Sequence, residues 1–369
     1  MKILILDQFG EFGGAQMCLL MSLEALLARG WEVAVGLPGN TGMFRRVCEM
    51  GLQTFSISLG PYRQGRKSAA DLGRFLTQTP RLAAKIRSLA RGFGADLLYL
   101  NGPRLLPAAA LARVGIPVLF HAHSCVAGGA VHRLAGEALR RLPATVVACC
   151  RSVASCWKRF VEPHRVSIVF NGVAGPPAMR RRKGDHTTIG CIGRISPEKG
   201  QMEFVAAAAA IHRALPHCRF AIYGAPLFSD DAARYAERVH AAARGLPIEF
   251  PGWSADVYQA LAQIDLLLVP SATGEATTRV IPEAFAAGVP VVAFASGGIP
   301  EVIEPGCTGF LVRSAEEMAA CAIDLLCAGR DQLCSISQAA RNAWETRFTP
   351  QCFQLRLLEA VKSAARSFG

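Results

Sequence analysis

Short apolar runs alternate with longer amphipathic stretches along the whole chain. Seven runs in the first half are β-rich, most of them apolar at nearly every position: Ile3–Leu6, Glu32–Leu37, Gln53–Ser58, Leu97–Asn101, Pro117–Ala122, Thr145–Cys149 and Ser167–Phe170. Helix-length segments lie between them, among them Ala15–Arg29, Ser68–Arg91 and Leu134–Leu142. Strands without polar alternation, separated by helices, predict a parallel sheet covered on both faces.

The pattern breaks at Gly175-Pro-Pro-Ala-Met-Arg-Arg-Arg-Lys-Gly-Asp, rich in Pro, Gly and charge as linkers are. It then restarts, with strands expected at Thr188–Ile192, Arg219–Tyr223, Ile248–Pro251, Leu266–Pro270, Val291–Phe294 and Gly309–Val312. The tail from Ala315 reads as helical, and its last segment, Pro350–Ala365, is expected to pack back on the first domain. The expected organisation is an N-terminal Rossmann-like domain over 1–175, a second over 176–348, and a returning helix over 349–369. Two such α/β domains facing one another would form a cleft, because ligands of these sheets bind at the carboxyl ends of the strands. The linker near Gly175 is the expected hinge.

Charge sharpens the picture. Through Gly175 there are 21 Lys+Arg against 9 Asp+Glu, and from Pro176 onward 19 against 19, so the whole excess of +12 sits in the first half. That asymmetry suits an anionic membrane face or a phosphate-bearing acceptor. Nucleic acid is disfavoured, since aromatics are few and no nucleic-acid motif is present. MKILIL is too short for a signal peptide, and no run reaches membrane-span length, so a cytoplasmic protein is expected. The thirteen cysteines show no C-x-x-C pair and no metal spacing, which predicts reduced, mostly buried thiols.

Four stretches carry candidate chemistry. Gly193-Arg-Ile-Ser-Pro-Glu-Lys-Gly200 follows a strand and leads into a helix expected to start near Glu198. Arg194 and Lys199 would lie there beside free backbone N–H groups, which suits a diphosphate. A purely structural strand–helix loop has the same composition. In Gly274-Glu-Ala-Thr-Thr-Arg-Val-Ile-Pro-Glu, Pro282 confines a helix start to just ahead of itself. Glu275 then stands before that helix and Glu283 near its first turn, two acceptors for sugar hydroxyls beside donors for phosphate. Either acid alone is also what a helix dipole attracts. In the first half, Gly13-Gly14 closes the first strand–helix loop without forming a G-x-G-x-x-G, which disfavours a dinucleotide. His121 and His123, two apart at a strand end, share one face.

Together these residues resemble family 4 of the retaining glycosyltransferases. Glu275 to Glu283 looks like its E-x7-E motif. Ala284-Phe-Ala-Ala-Gly-Val-Pro-Val-Val-Ala, Gly297-Gly-Ile-Pro-Glu-Val-Ile, Asn171-Gly-Val, Phe250-Pro-Gly-Trp and Asp265-Leu-Leu-Leu-Val-Pro-Ser are similar as well. The match is close over about 165–312 and looser before it, through Gly13-Gly-Ala-Gln and His121-Ala-His. The sequence departs from the family at Ala276-Thr277-Thr278, where Pro-Phe-Gly is common, and at Ala174, where an acid often follows Asn-Gly-Val.

The resemblance implies the GT-B architecture, two facing Rossmann-like domains with a cleft between them, and a nucleoside-diphosphate sugar as donor. Arg194 and Lys199, beside Gly193, would grip the diphosphate. Glu275 would hold hydroxyls of the transferred sugar, with Ala276, Thr277, Thr278 and Arg279 lining the donor site, and Glu283 the ribose. Tyr223 and Trp253 would meet the base. Gly13 and Gly14 would lie between donor phosphate and acceptor, and His123, with His121 as second choice, would contact the transferred sugar. The acceptor would be a saccharide or a lipid-linked molecule of polysaccharide or lipopolysaccharide synthesis. Asp-x-Asp is missing, so no metal or other cofactor is expected. A nucleotide-sugar 2-epimerase and a non-catalytic sugar-nucleotide-binding protein stay open as alternatives.

Overall fold

The computed structural model describes residues 1–60, 69–125, 129–176, 186–227, 230–271 and 275–366. Most of the charged linker, 177–185, and Gly274 of the second motif lie outside the described residues. The chain forms two compact units, Met1–Asn171 with Gln351–Gly369, and Gly172–Pro350.

The first unit runs β1 (Lys2–Asp7), α1 (Gly14–Ala28), β2 (Glu32–Pro38), α2 (Gly42–Glu49), β3 (Gln53–Ile57), α3 (Ala69–Phe93) and β4 (Leu97–Asn101). It continues with α4 (Leu106–Ala112), β5 (Val118–Ala122), α5 (Ala130–Arg140), β6 (Ala144–Ala148), α6 (Arg151–Trp157) and β7 (Val166–Ile168). All seven strands are parallel, in the order β3-β2-β1-β4-β5-β6-β7. β4, β5 and β6 are buried at every residue, as the unbroken apolar runs require.

The second unit runs β8 (Thr188–Ile192), α7 (Gln201–Ala214), β9 (Arg219–Tyr223), α8 (Asp230–Ala242), β10 (Ile248–Gly252), α9 (Val257–Leu261) and β11 (Leu266–Val269). Then come α10 (Val280–Ala287), β12 (Val291–Phe294), β13 (Phe310–Val312), α11 (Ala315–Cys327) and α12 (Arg330–Arg347). Its sheet is parallel in the order β10-β9-β8-β11-β12-β13. Side chains cap two of its helices: Asp256 accepts from Tyr258 N at 2.9 Å before α9, and Ser314 from Glu317 N at 3.2 Å before α11.

The last helix, α13 (Pro350–Arg366), belongs with the first unit from Gln351 on. Phe353, Leu357 and Val361 line its core together with Ile3, Leu19 and Tyr99. Composition places a boundary at Gly175, whereas the units divide at Asn171/Gly172. The reason is hydrogen bonding. Gly172 O accepts from Arg279 Nη1 at 3.0 Å, Val173 O from Trp344 Nε1 at 3.0 Å, and Val173 N donates to Phe348 O at 2.8 Å. Tyr258 OH donates to Ala174 O, and Arg341 Nη1 to Pro176 O at 3.2 Å. The backbone of 172–176 is therefore fastened to the second unit ahead of the charged linker.

Two further expectations are corrected. Cys125 and Cys156 form a disulfide, Cα atoms 6.0 Å apart, joining the segment after β5 to α6, where reduced thiols were expected throughout. The helix after Gly193 starts at Gln201 rather than near Glu198: Pro197–Lys199 is a single 3₁₀ turn, and Gly200 follows in the left-handed region (φ +72°). A Cβ at Gly200 would lie 1.9 Å from Pro270 O, so the turn abuts the exit of β11 and admits no side chain.

Candidate functional site

In both sheets the strand order reverses beside the first strand, between β1 and β4 and between β8 and β11. Loops leaving the carboxyl ends there diverge to opposite faces and open a crevice, the usual ligand position in such sheets. The expected site residues fall at these two places or at the carboxyl ends of neighbouring strands, and each place is described within its own unit.

In the second unit one wall is the loop 193–200 after β8, the other the segment 275–279 beyond β11. Lys199 Nζ donates to Glu275 Oε2 at 2.7 Å, linking residues 76 apart in sequence. Both side chains are largely buried, 17% and 16% exposed, so little solvent screens the pair. Arg194 bonds Glu198 at 3.1 Å, and Arg279 Nε lies 3.5 Å from Glu283 Oε1. Burial pushes the Glu283 carboxyl up, partly offset by Arg279 and Lys199. Each site cation thus faces a carboxylate, an arrangement that an incoming anion can enter by exchanging partners.

Backbone contacts hold the two walls in place. Gly193 N donates to Tyr223 O at 3.0 Å, Ile195 N to Ala225 O at 3.0 Å, and Gly224 N to Gly252 O at 2.9 Å, which knits the exits of β8, β9 and β10 together. Gln201 clamps the first wall through Arg194 O at 2.8 Å and Ser196 N at 3.2 Å. The second wall rests on Gly297, in the left-handed region at φ +53°, and Gly298, whose N–H donates to Ala276 O at 2.7 Å. Arg279 occupies the N-cap position of α10 without a side-chain cap bond, and Thr278 just before it is buried. Tyr223 ends β9 half-buried, while Trp253, just past β10, is 57% exposed. Ser196 Oγ and Thr277 Oγ1, one in each wall, are buried without a hydrogen-bond partner among the described residues.

In the first unit Gly13 precedes α1 in extended backbone and Gly14 opens the helix, both exposed. Gly10 pins the same loop: its carbonyl accepts from Met43 N at 2.9 Å, and a Cβ there would strike Thr41 at 2.4 Å. Beneath the loop, Asp7 is wholly buried. Its carboxylate accepts from Asn101 Nδ2 at 2.6 Å, Gln16 Nε2 at 3.2 Å and Phe9 N at 2.8 Å. Desolvation dominates all the same and raises its pKa to about 6. Asn101 Oδ1 in turn meets His123 Nε2 at 2.7 Å.

His123 is half-buried at the end of β5, with its pKa lowered to about 4 by burial, so it is neutral at physiological pH. His121 is a different matter. It has no exposed surface, bonds Tyr99 OH at 2.5 Å through Nδ1, and stacks on Phe353. The structure gives it a supporting place behind His123 rather than a ligand contact. Sequence reasoning missed Asp7, Asn101 and Gln16. The available signal was that β1 and β4 are apolar strands that end in a polar residue (Asp7, Asn101) and β5 carries His121 near its end with His123 just past it, while parallel register pairs Asp7 with Asn101 and Asn101 with His121.

Among the described residues no helix is long and apolar enough to cross a membrane. No group of three or more His, Cys, Asp or Glu among them is placed to hold a metal ion.

Comparison with known proteins fits this geometry. The family described as "Glycosyltransferase Family 4" matches residues 12–174, and "Glycosyl transferases group 1" matches 186–328. A GDP-mannose-dependent alpha-(1-6)-phosphatidylinositol monomannoside mannosyltransferase of Mycobacterium tuberculosis is 32% identical over 179 residues, 45% of each chain. A lipopolysaccharide 1,2-N-acetylglucosaminetransferase of Salmonella typhimurium is 34% identical over 161 residues, 39% of this chain and 42% of that one. The chain thus spans less than half the length of these curated relatives. Among solved structures, Anabaena Alr3699/HepE in complex with UDP superposes with a TM-score of 0.81 at 23% identity, over 98% of this chain and all of that one. With the two family matches covering most of its length and this fold shared throughout, the chain belongs to the group 1, family 4 glycosyltransferases of GT-B architecture.

Proposed function

We propose that the protein transfers a hexosyl group from a nucleoside-diphosphate sugar to a saccharide or lipid-linked acceptor, with retention of anomeric configuration and without a metal ion. The observation that carries the reading is the Lys199–Glu275 pair across the crevice of the second sheet, flanked by Arg194 and by Arg279–Glu283. A cation bonded to an acceptor carboxylate is what the junction of a diphosphate and a sugar requires: the diphosphate takes Lys199 and Arg194, and the freed Glu275 receives hydroxyls. Gly193 allows the phosphates to approach the loop, and Ala276, Thr277, Thr278 and Arg279 continue the donor wall. Glu283 is assigned to the ribose, and Tyr223 and Trp253 to the base. On the leaving side, Arg194 and Lys199 stabilise charge that builds as the glycosidic bond breaks, so the catalytic effect is electrostatic. His123, with Gly13 and Gly14, is assigned to the acceptor side.

The relatives favour an acceptor of cell-surface glycan synthesis, since one is named for a phosphatidylinositol mannoside and another for lipopolysaccharide. The basic first half supports a peripheral position on an anionic, inner membrane face. Incubation with UDP-glucose, UDP-N-acetylglucosamine, UDP-galactose and GDP-mannose, each with lipid extracts and in EDTA, tests the reaction. Release of nucleoside diphosphate that depends on acceptor, with the donor's anomer in the product, is the expected result. Turnover abolished by EDTA and restored by Mg²⁺ defeats the metal-free mechanism, and epimerised sugar formed without acceptor favours a 2-epimerase. Salt-sensitive binding to anionic vesicles is expected, and its absence removes the membrane assignment.

A further inference from the structure

The three polar strand ends of the first sheet form a chain of hydrogen bonds with a defined polarity. Asn101 Nδ2 donates to Asp7 Oδ2 at 2.6 Å, because an ionised carboxylate only accepts. That fixes the Asn101 amide with its oxygen toward β5, where it lies 2.7 Å from His123 Nε2. An amide oxygen also only accepts, so His123 carries its proton on Nε2 and keeps its lone pair on Nδ1. Nδ1 is buried and has no partner among the described residues. Gln16 and the amides of Gln8 and Phe9 bear on Asp7 from α1 and its own loop, Asn101 and Tyr99 from β4, and His123 and His121 stand beyond Asn101 on β5. None of these groups is a cation at neutral pH.

We propose that Asp7 is a positioning residue for sugar transfer, which through Asn101 holds His123 in its Nε2–H tautomer, so that transfer requires Asp7 ionised. The inference rests on the acceptor-side place given to His123 above. Its physical content is a switch of polarity. The Phe9 N–H, 2.8 Å from Asp7 Oδ1, keeps that oxygen an acceptor, so a proton added to Asp7 goes to Oδ2, the oxygen that faces the Asn101 NH₂. The pair is restored when the Asn101 amide flips and accepts from Asp7, and its NH₂ then meets His123. The imidazole must give up the Nε2 proton and take one at Nδ1, which leaves it neutral with its donor and acceptor edges exchanged. Burial places the Asp7 transition near pH 6, while His123 itself stays neutral down to about 4. An acid limb near pH 6 therefore belongs to Asp7.

The test reads the tautomer directly, by ¹⁵N spectra of the His123 imidazole in the full chain from pH 7.5 to 5, alongside transfer rates. Wild type is expected to pass from Nε2–H to Nδ1–H as pH falls through about 6, with the rate falling in step. Asp7→Asn, a donor at any pH once its amide turns to Asn101, is expected to hold Nδ1–H throughout and to lose the pH dependence along with at least tenfold in rate. The exchange Asp7→Asn with Asn101→Asp restores the polarity, since the carboxylate then at position 101 accepts from both neighbours. It is expected to return His123 to Nε2–H and to regain most of the rate. A wild-type tautomer that does not change between pH 7.5 and 5, or an exchange variant no better than Asp7→Asn, overturns the proposal. The spectra need no substrate, so this outcome is independent of whether the protein transfers sugar at all.

Discussion

Gly297→Ala tests the site through a residue that has no side chain to touch a ligand. Gly297 sits at φ +53°, where an L-residue costs about 1–2 kcal/mol. More damaging is its neighbour: an added Cβ would lie 1.6 Å from Glu275 O and 2.8 Å from Glu275 C. Contacts of that kind do not occur below 3.0 Å, so the Glu275 backbone must retreat by about 1.4 Å, carrying its carboxylate away from Lys199. Misplacement by about 1 Å costs roughly 10²-fold in rate where a group must be held in register. Gly245→Ala supplies the control, since Gly245 has a similar φ of +81° but nothing within 4 Å of the added carbon. Both variants are expected to melt a few degrees lower, at about 2–4 °C per kcal/mol for a unit of this size. Only Gly297→Ala is expected to lose about 10²-fold or more in kcat/KM for donor turnover. A Gly297→Ala enzyme within about threefold of the control refutes the placing of Glu275 at the donor.

Lys199→Met keeps most of the length of the side chain but removes its charge. It is expected to lower turnover by roughly 10²–10³-fold, because the lost donor is the one assigned to the departing phosphate; steady-state kinetics check this, and an effect below about tenfold contradicts the role. The pH dependence of stability has two opposed parts in the first unit. The His123 pKa is about 4 in the folded chain against an ordinary 6.5, so stability is lost as pH falls from 6.5 toward 4. Asp7 is raised from 3.8 to about 6, so the folded state takes up its proton first, and stability is gained as pH falls through that window. Asp7→Asn removes the gain: it is expected to be more stable than wild type at pH 7, by at most about 3 kcal/mol, and to lose stability more steeply toward pH 4. Thermal melts at a series of pH values decide it, and parallel curves for the two proteins contradict the reading.

Most of the strands were legible because they are short apolar runs bounded by turn residues. Thr188–Ile192, Arg219–Tyr223 and Val291–Phe294 occur at the expected residues. The helix ahead of Glu283 was legible from Pro282, which is acceptable only within a first turn. Pairings across the sheets were not legible. Lys199 meets Glu275, Asp7 meets Asn101 and Cys125 meets Cys156 only because strand order and register bring their loops together. Composition points to Gly175, where Pro, Gly and charge begin to cluster, whereas the hydrogen bonds of Gly172, Val173 and Ala174 already tie the chain to the second unit. His121 and His123 look equivalent in sequence because both sit at a strand end on one face. Packing against Tyr99 and Phe353 separates them.

Calorimetric titration of UDP, GDP, ADP and CDP, in EDTA, into wild type and Glu283→Ala tests the central claim most directly. The account predicts that one nucleotide binds without metal and that the substitution weakens it at least tenfold, through the carboxylate assigned to the ribose. Binding by none of the four, or equal binding by both proteins, would contradict the donor site as placed at Lys199, Glu275 and Glu283.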